Sequence, residues 1–194
     1  ILVCRTEHPI PQEMKRKIGL FCNVSEADVI EARDASTIYE VPLLMQNERL
    51  DSRVLYKLDI YNDKESNLKN WTSFLSKLQN PKFEINIGLI GKYVELKDAY
   101  KSLDEALTHG GIDNKVKVNL VRIDSEKLKV SEIKKKLKNI SGILIPGGFG
   151  KRGTDGKIEA IKHARLNKIP FLGICYGMQM AIIEFARNQL NRSE

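Results

Sequence analysis

The sequence has few cysteines, and their arrangement argues against two classes of site. Its 194 residues include three cysteines, Cys4, Cys22 and Cys175, which are widely spaced and odd in number. A disulfide framework needs pairs, and a zinc site needs close ligand spacing such as Cys-x-x-Cys. We therefore predict neither a disulfide framework nor a metal site within this chain, and a reducing cytosol as its compartment.

Long apolar runs are also missing. No stretch approaches the roughly 18–20 apolar residues that a membrane-spanning helix needs, and the longest runs, at 143–146 and 169–172, have the length of buried strands. The chain begins at Ile1 without the charged and apolar regions of a signal peptide. These features predict a cytoplasmic protein with no membrane partner, and a start at Ile1 suits a segment of something longer.

The charge balance is basic, with 32 Lys and Arg against 25 Asp and Glu and a formal net charge of +7. Such a balance favours phosphate-bearing ligands, although a solvated, lysine-rich surface explains it more simply. No recognised nucleic-acid-binding motif or interleaving of aromatic and basic residues accompanies it. We therefore predict no nucleic-acid partner.

A polar stretch rich in Asn, Lys, Ser and Asp divides the chain. We predict that residues 1–61 form the closing segment of one domain and that residues 62–84 form a linker. Apolar residues at helical spacing between 71 and 78 predict one amphipathic helix in that linker. Residues 85–194 then form the first half of a second domain.

The first segment shows only scattered elements. Extended pieces are predicted at Ile1–Cys4 and Val29–Ala32, with a helix that starts near Pro11 and another near Ser52–Leu58. We predict no complete alternation of strands and helices within residues 1–61.

From residue 85 onward, strands and helices alternate four times, which is the signature of an α/β domain with a parallel sheet. Asp98 is a predicted helix N-cap, and the helix after it is expected to bury Ala99, Leu103, Ala106 and Leu107 and to end at Gly110-Gly111. The other predictions are strands at 86–91, 115–123, 142–145 and 169–173, a helical face at Ile133, Leu137 and Ile140, and helices at 155–167 and 176–189.

The most informative pattern is a cysteine at the turn from a strand to a helix. An apolar strand runs into Gly173–Gly177 (Gly-Ile-Cys-Tyr-Gly), and the last predicted helix begins at once. A nucleophile on such a turn needs a strained backbone and neighbours without side chains. The free N–H groups and positive dipole end of the helix stabilise negative charge on the sulfur of Cys175. A small buried hydrophobic cysteine is the alternative interpretation.

A glycine-rich loop follows another predicted strand. Residues 146–150 read Pro-Gly-Gly-Phe-Gly, and in a parallel sheet they leave the same edge as the Cys175 turn, where sites in open α/β sheets lie. Their N–H groups can stabilise a developing oxyanion, with the N–H of Tyr176 as a second donor. On its own, Gly147-Gly148 is explained as well by a tight turn.

Together, residues 146–150 and 173–179 resemble the class I, or triad, glutamine amidotransferases. The resemblance implies a flavodoxin-like sheet and a cysteine that attacks the amide of L-glutamine, forms a glutamyl thioester and releases ammonia. It implies that Cys175 is the nucleophile and that the oxyanion and glutamine-binding positions are Gly148, Tyr176, Gly177, Met178 and Gln179. Tyr176 departs from the leucine that is usual after the nucleophile.

Upstream blocks at 17–24 and 36–44, together with 91–102, are similar to the CTP synthase family. That family phosphorylates UTP with ATP and displaces the phosphate with ammonia. The resemblance covers essentially the whole chain and implies that residues 1–61 end a synthetase domain. Other triad enzymes, such as GMP synthases or carbamoyl-phosphate synthetase subunits, are the runner-up, and the upstream blocks count against them.

The same resemblance assigns nucleotide sites. Lys17 matches a lysine that contacts the phosphates of UTP or of the inhibitor CTP, although an exposed helix lysine is the simpler interpretation. The turn Arg33-Asp34-Ala35 matches an adenine-binding turn for ATP, with Arg and Ala in place of commoner residues. Arg152, Gly153 and Asp155 lie in a loop associated with activation by GTP, with Asp where Glu is usual.

The remaining expectations concern what lies outside these residues. The resemblance places the Mg²⁺-binding carboxylates before Ile1 and the triad histidine and glutamate after Glu194, and it implies a homotetramer and filaments. His109 and His163 are interpreted as ordinary helix histidines. The isolated chain is therefore expected to be inactive. A truncated homologue that acts only in assembly is the non-enzymatic alternative.

Overall fold

The computed structural model describes residues 1–60, 64, 66–190 and 192. The chain forms two compact units, Ile1–Gln79 and Asn80–Glu194. Residues 61–63, 65, 191, 193 and 194, which include the predicted boundary between residues 61 and 62, lie outside the described residues. The domain limits at 1–61, 62–84 and 85–194 stay predictions.

The first unit is built on two parallel strands. β1 (Leu2–Thr6) pairs with β2 (Val29–Arg33), and α1 (Gln12–Phe21) connects them. This is a complete strand–helix–strand unit, so the expectation that residues 1–61 contain none is wrong. The helical pattern is weak in the sequence because the apolar residues Leu20 and Phe21 do not lie on the buried face of α1 but are 78% and 87% exposed.

The described residues of the first unit also form the α-helices α2 (Val41–Asn47), α3 (Leu50–Lys57) and α4 (Lys69–Gln79). The helix predicted near Ser52–Leu58 is thereby confirmed, as is the amphipathic helix, whose Leu75 is buried. The indole N–H of Trp71 donates to the carbonyl oxygen of Tyr39 over 2.7 Å. The predicted linker helix therefore packs within the first unit.

The second unit contains a fully parallel four-stranded sheet. Its strands are β3 (Phe83–Gly91), β4 (Val116–Asp124), β5 (Gly142–Ile145) and β6 (Phe171–Gly173), in the order β4-β3-β5-β6. That order begins the flavodoxin-like 2-1-3-4-5 arrangement. The predicted α/β class is therefore confirmed.

Four helices accompany this sheet: α5 (Lys101–Asp113), α6 (Ile133–Lys136), α7 (Thr154–Leu166) and α8 (Tyr176–Gln189). The core lies between them and β3 and β5, where Leu89, Ile90 and Ile145 are fully buried. No helix in the described ranges is long and apolar enough to cross a bilayer.

The first helix of this unit differs from its prediction. A short 3-10 turn precedes it, and it continues through Gly110 and Gly111 to Asp113. Gly111 does not end the helix because it lies against β4, where a Cβ would come within 2.4 Å of the carbonyl oxygen of Val116. Ala99 and Ala106 are exposed rather than buried, and Tyr100 takes the core position at 8% exposure.

A buried ion pair joins α7 to α8. Glu184 is 1% exposed, and its carboxylate accepts two-pronged hydrogen bonds from Arg165, with 2.7 Å between Arg165 Nη2 and Glu184 Oε1. Removing one partner of a buried pair leaves the other charge desolvated. The pair therefore fixes how the helix that follows Cys175 packs on α7.

We expect Glu184→Gln to lower the free energy of unfolding of the chain by about 2 kcal/mol, because Arg165 keeps its charge but loses its counter-ion. The matched control is Glu132→Gln, which breaks the exposed pair between Glu132 and Lys136 and should change stability by no more than about 0.5 kcal/mol. Urea unfolding of the two variants measures the difference. Equal losses would contradict a structural role of the buried pair.

Candidate active site

Cys175 lies between β6 and α8 in a strained backbone conformation. Its φ and ψ are 50° and −102°, a region that residues other than glycine rarely adopt. The cysteine is free and exposed. An exposed nucleophile on a strained strand-to-helix turn is the arrangement of a nucleophile elbow. The predicted turn geometry is therefore present, and the role of Cys175 as a nucleophile stays a prediction.

The two flanking glycines are required by close contacts. A Cβ at Gly173 would lie 2.6 Å from the carbonyl carbon of Gly177, and a Cβ at Gly177 would lie 2.2 Å from the carbonyl oxygen of Ile145. Real Cβ atoms do not approach other atoms this closely, so a side chain at either position would force the turn apart. The Gly-x-Cys-x-Gly pattern is thus explained by packing.

The glycine loop lies beside the cysteine. The N–H of Ile174 donates to the carbonyl oxygen of Ile145 over 3.0 Å, so the ends of β5 and β6 run side by side. A Cβ built on Gly147 would lie 3.8 Å from the Cβ of Cys175, whereas one built on Gly148 would meet no described atom within 4 Å. Gly148 therefore borders open space in the loop that lies next to Cys175.

The positions predicted to bind glutamine follow Cys175 along the first turn of α8. Met178 is 53% exposed, and Gln179 is exposed, with its N–H donating to the carbonyl oxygen of Cys175 over 3.1 Å. Gly177 is buried, and its N–H donates to the carbonyl oxygen of Ile174 over 2.9 Å. The structure thus brings the predicted residues of the loop and the elbow together.

The side chain of Tyr176 reaches back over the glycine loop. Its hydroxyl donates to the carbonyl oxygen of Gly150 over 2.7 Å and lies 3.0 Å from Thr154 Oγ1. The ammonium of Lys92 donates to the carbonyl oxygens of Phe149 and Gly150. These contacts hold the far end of the loop.

A buried lysine lies under the same tyrosine. Lys157, on α7, is 1% exposed, and its Nζ is 4.8 Å from the centroid of the Tyr176 ring, at cation–π distance. Burial, and after it the positive charge of Lys92, lower the pKa of Lys157 below its ordinary value, while Glu126 acts in the opposite direction. The ring therefore covers a charge that has little contact with solvent.

The three residues of the predicted activator loop lie where the glycine loop leads into α7. Arg152 forms an ion pair with Glu126, and its guanidinium carbon lies 6.0 Å from the centroid of the Tyr93 ring. Gly153 has a φ of 70° and precedes the first residue of α7. Asp155 is exposed in the first turn of that helix.

The predicted nucleotide-binding residues lie in the first unit. Lys17 is an exposed lysine on α1, with 3.5 Å between its Nζ and Glu13 Oε1. Arg33 ends β2, and its Nε lies 3.5 Å from Glu31 Oε2. Asp34 forms a 2.5 Å ion pair with Arg5, and Ala35 is partly buried. Residues 34 and 35 follow the end of β2 without regular secondary structure, and the nucleotide-binding roles of residues 17 and 33–35 stay predictions.

The two histidines considered as substitutes for a triad base are ordinary helix residues. His109 is exposed on α5. His163 lies in the last turn of α7, whereas the glycine loop precedes the first turn of that helix. The side-chain amide of Asn167 forms a hydrogen bond with the His163 ring. Within the described ranges, no group of three or more His, Cys, Asp and Glu side chains could hold a metal ion.

Sequence reasoning missed four side chains around the site: Lys92, Thr154, Lys157 and the phenol of Tyr176. The sheet topology could have indicated Lys92, because this residue follows β3, the strand next to β5 in the sheet. Charged residues at the carboxyl ends of neighbouring parallel strands meet at one edge. The other three depend on side-chain contacts that no spacing rule indicates.

Family models match both parts of the chain. Residues 95–194 match the glutamine amidotransferase class-I family, and residues 1–60 match the CTP synthase N-terminus. The first match covers half of the chain and contains the glycine loop and the elbow.

Curated relatives match across nearly the whole sequence. A CTP synthase of Pelagibacter ubique is 71% identical over 191 residues, which is 98% of this chain and 36% of that protein. A CTP synthase of Methanocaldococcus jannaschii is 54% identical over 194 aligned residues, covering 97% of this chain and 36% of that protein. The chain thus spans about a third of the length of the curated relatives it matches.

A solved structure supports the fold of the second unit. The glutaminase domain of a Trypanosoma brucei CTPS with bound acivicin is 40% identical, with a TM-score of 0.51. The match covers 55% of this chain and 42% of that one.

We expect Gly177→Ala to lower the free energy of unfolding by about 3 kcal/mol or more, because the new methyl group would collide with the carbonyl oxygen of Ile145. Gly110→Ala is the matched control: it lies inside α5 with no described atom within 4 Å of the new Cβ. That change should stabilise the chain by about 0.5–1 kcal/mol. Denaturant unfolding of both variants gives the comparison, and a tolerated Gly177→Ala would contradict the close contact.

A pH titration of stability tests the burial of Lys157. Because its pKa is lowered in the fold, the unfolded chain binds more protons than the folded chain just below the ordinary lysine pKa of about 10.4. The stability of the wild type relative to Lys157→Met should therefore rise as the pH approaches that value. Thermal melts of both proteins between neutral and alkaline pH measure this, and a pH-independent difference would contradict it.

Proposed function

This chain belongs to the class-I glutamine amidotransferase family, in its CTP synthase branch, and we propose that the whole protein converts UTP to CTP with ammonia taken from glutamine. The observation that carries the glutamine part of the proposal is the strained, exposed Cys175 beside the open face of Gly148. The match of residues 1–60 to the CTP synthase N-terminus favours this branch over other triad amidotransferases.

In the proposed reaction, the sulfur of Cys175 attacks the amide carbon of glutamine, and the carbonyl oxygen becomes an oxyanion. The N–H groups of Gly148 and Tyr176 are the proposed donors to that oxyanion, because one borders the open space beside Cys175 and the other starts α8. Collapse of this intermediate releases ammonia and leaves a glutamyl thioester, which water hydrolyses. The exposed first turn of α8, with Met178 and Gln179, is the proposed glutamine contact.

Proton transfer in these steps needs a base. The family resemblance assigns that role to a histidine supported by a glutamate, and we propose that the whole protein supplies both outside the residues seen here. His109 and His163 are not proposed for this role, since both are placed on helices away from the glycine loop and the elbow.

The nucleotide chemistry is proposed for the whole protein. ATP phosphorylates UTP at O4, and ammonia then displaces the phosphate. The exposed ammonium of Lys17 suits a contact with UTP or CTP phosphates, and the segment at residues 33–35, where β2 ends, suits backbone contacts with the adenine of ATP. Mg²⁺ would supply charge neutralisation for the phosphates, and no group of its ligands is assigned to this chain.

Regulation and assembly follow the same family pattern. We propose GTP as an activator that acts through Arg152, Gly153 and Asp155, because these residues lie where the glycine loop leads into α7. CTP is proposed as the feedback inhibitor, and a cytoplasmic homotetramer that forms filaments as the assembly. EC 6.3.4.2, a ligase that forms C–N bonds, describes the proposed activity.

The test is CTP formation by the full-length protein with glutamine or ammonia as the nitrogen source. Cys175→Ala should reduce glutamine-dependent synthesis on the order of 10⁴-fold or more, because no nucleophile remains, and should leave ammonia-dependent synthesis intact. Cys22→Ala, which changes another exposed free cysteine, is the matched control and should alter neither rate.

Two outcomes would contradict the proposal in different ways. If the wild type makes no CTP from either nitrogen source, the synthetase assignment is wrong, and a glutaminase or an assembly role remains. If Cys175→Ala keeps full glutamine-dependent synthesis, the assignment of the nucleophile is wrong.

A further inference from the structure

The side chain of Tyr176 plays no part in the reaction proposed above, which uses only its backbone N–H. Yet its hydroxyl makes two polar contacts, at 2.7 Å to the carbonyl oxygen of Gly150 and 3.0 Å to Thr154 Oγ1. A leucine, the usual residue at this position in the family, could make neither contact. The side chain therefore joins three segments around the site: the elbow, the glycine loop and the start of α7.

The glycine loop needs such support because its own sequence gives it little. Three of its five residues are glycines, which have more backbone freedom than other residues. Gly150 has a φ of 76°, and Cβ atoms built on Gly148 and Gly150 would meet no described atom within 4 Å. Packing of the loop residues themselves therefore does not fix Gly148.

Instead, the loop is held at its two ends. At one end, the carbonyl oxygen of Ile145 accepts the N–H of Ile174 over 3.0 Å. At the other end, the carbonyl oxygen of Gly150 accepts from the hydroxyl of Tyr176 and from the ammonium of Lys92, the latter at 3.5 Å. Gly148 lies between these anchors, and one of them is the residue directly after Cys175.

From this arrangement we propose that Tyr176 is a positioning residue: its hydroxyl holds the glycine loop so that the N–H of Gly148 stays aligned with the oxyanion formed at Cys175. The inference rests on the proposed glutaminase function and deepens it. An oxyanion donor contributes only when it is already in place as the charge develops. Loss of the anchor should thus slow the chemical step more than it weakens glutamine binding.

The informative variant is Tyr176→Phe in the full-length protein. It removes the hydroxyl and keeps the ring over Lys157, so the buried ammonium stays covered. We expect kcat for glutamine hydrolysis to fall about tenfold, the effect of losing one hydrogen bond, while KM changes by less than about twofold. Thr154→Val removes the second polar contact of the hydroxyl, together with the hydrogen bond that Thr154 Oγ1 donates to the carbonyl oxygen of Lys151, and should cause a smaller loss of kcat in the same direction. Tyr56→Phe, at an exposed tyrosine of the first unit, is the control and should match the wild type.

A second readout does not depend on activity. Hydrogen–deuterium exchange of the backbone amides at residues 147–151 should be faster in Tyr176→Phe than in the wild type, with exchange in β3 and β5 unchanged. Faster loop exchange together with a lower kcat supports the proposal. Unchanged loop exchange overturns it, and so does a kcat within about twofold of the wild type or a rise in KM at constant kcat.

These outcomes are separable from failure of the proposed function. If the wild type does not hydrolyse glutamine, the glutaminase proposal fails, and the exchange experiment still decides whether Tyr176 anchors the loop. If the wild type hydrolyses glutamine and Tyr176→Phe behaves identically in both assays, only the inference about Tyr176 fails.

Discussion

The contact between Gly177 and the carbonyl oxygen of Ile145 governs the geometry of the whole candidate site. Because a Cβ at Gly177 would lie 2.2 Å from that oxygen, α8 starts closer to the end of β5 than any residue with a side chain allows. This closeness forces the chain to turn sharply at Cys175, with its positive φ, and places Gly147 beside it. The strain at one residue is thus supported by the packing of a helix against a central strand.

The polar contacts around the turn have a different physical basis. Packing fixes the elbow, but the glycine loop next to it is held by hydrogen bonds from Lys92 and Tyr176 to its carbonyl oxygens. The same tyrosine ring covers the ammonium of Lys157, which is 1% exposed. The face of the ring offsets part of the cost of burying this charge, while its hydroxyl binds the loop at the carbonyl oxygen of Gly150. The candidate site therefore combines a closely packed turn at Cys175 with a loop that is held by a few polar groups.

Much of the second unit could be predicted from sequence, since buried parallel strands read as apolar runs and the helices between them as periodic stripes. The bounds of β5 and α8 agree with the predicted 142–145 and 176–189. Local rules failed where tertiary contacts decide the outcome. The predicted helix end at Gly111 is instead a contact point with β4. The strand–helix–strand unit of the first segment is not predicted, because the exposed Phe21 disturbs the apolar periodicity of α1. The role of the Tyr176 phenol could not be predicted, because it depends on where Gly150 lies in space.

Backbone geometry explains why anchoring carbonyl oxygens matters for a site that is proposed to work through N–H groups. In a planar trans peptide, the carbonyl of one residue and the N–H of the next point in opposite directions. When Lys92 and Tyr176 bind the carbonyl oxygens of Phe149 and Gly150, they also fix the direction of the N–H groups that follow. These are the N–H groups of Gly150 and Lys151. Restricting the two peptides confines the free part of the loop to the peptides between Ile145, which ends β5, and Phe149, and the N–H of Gly148 belongs to that part. A side chain that never touches the substrate can in this way determine whether a backbone donor is ready when negative charge develops.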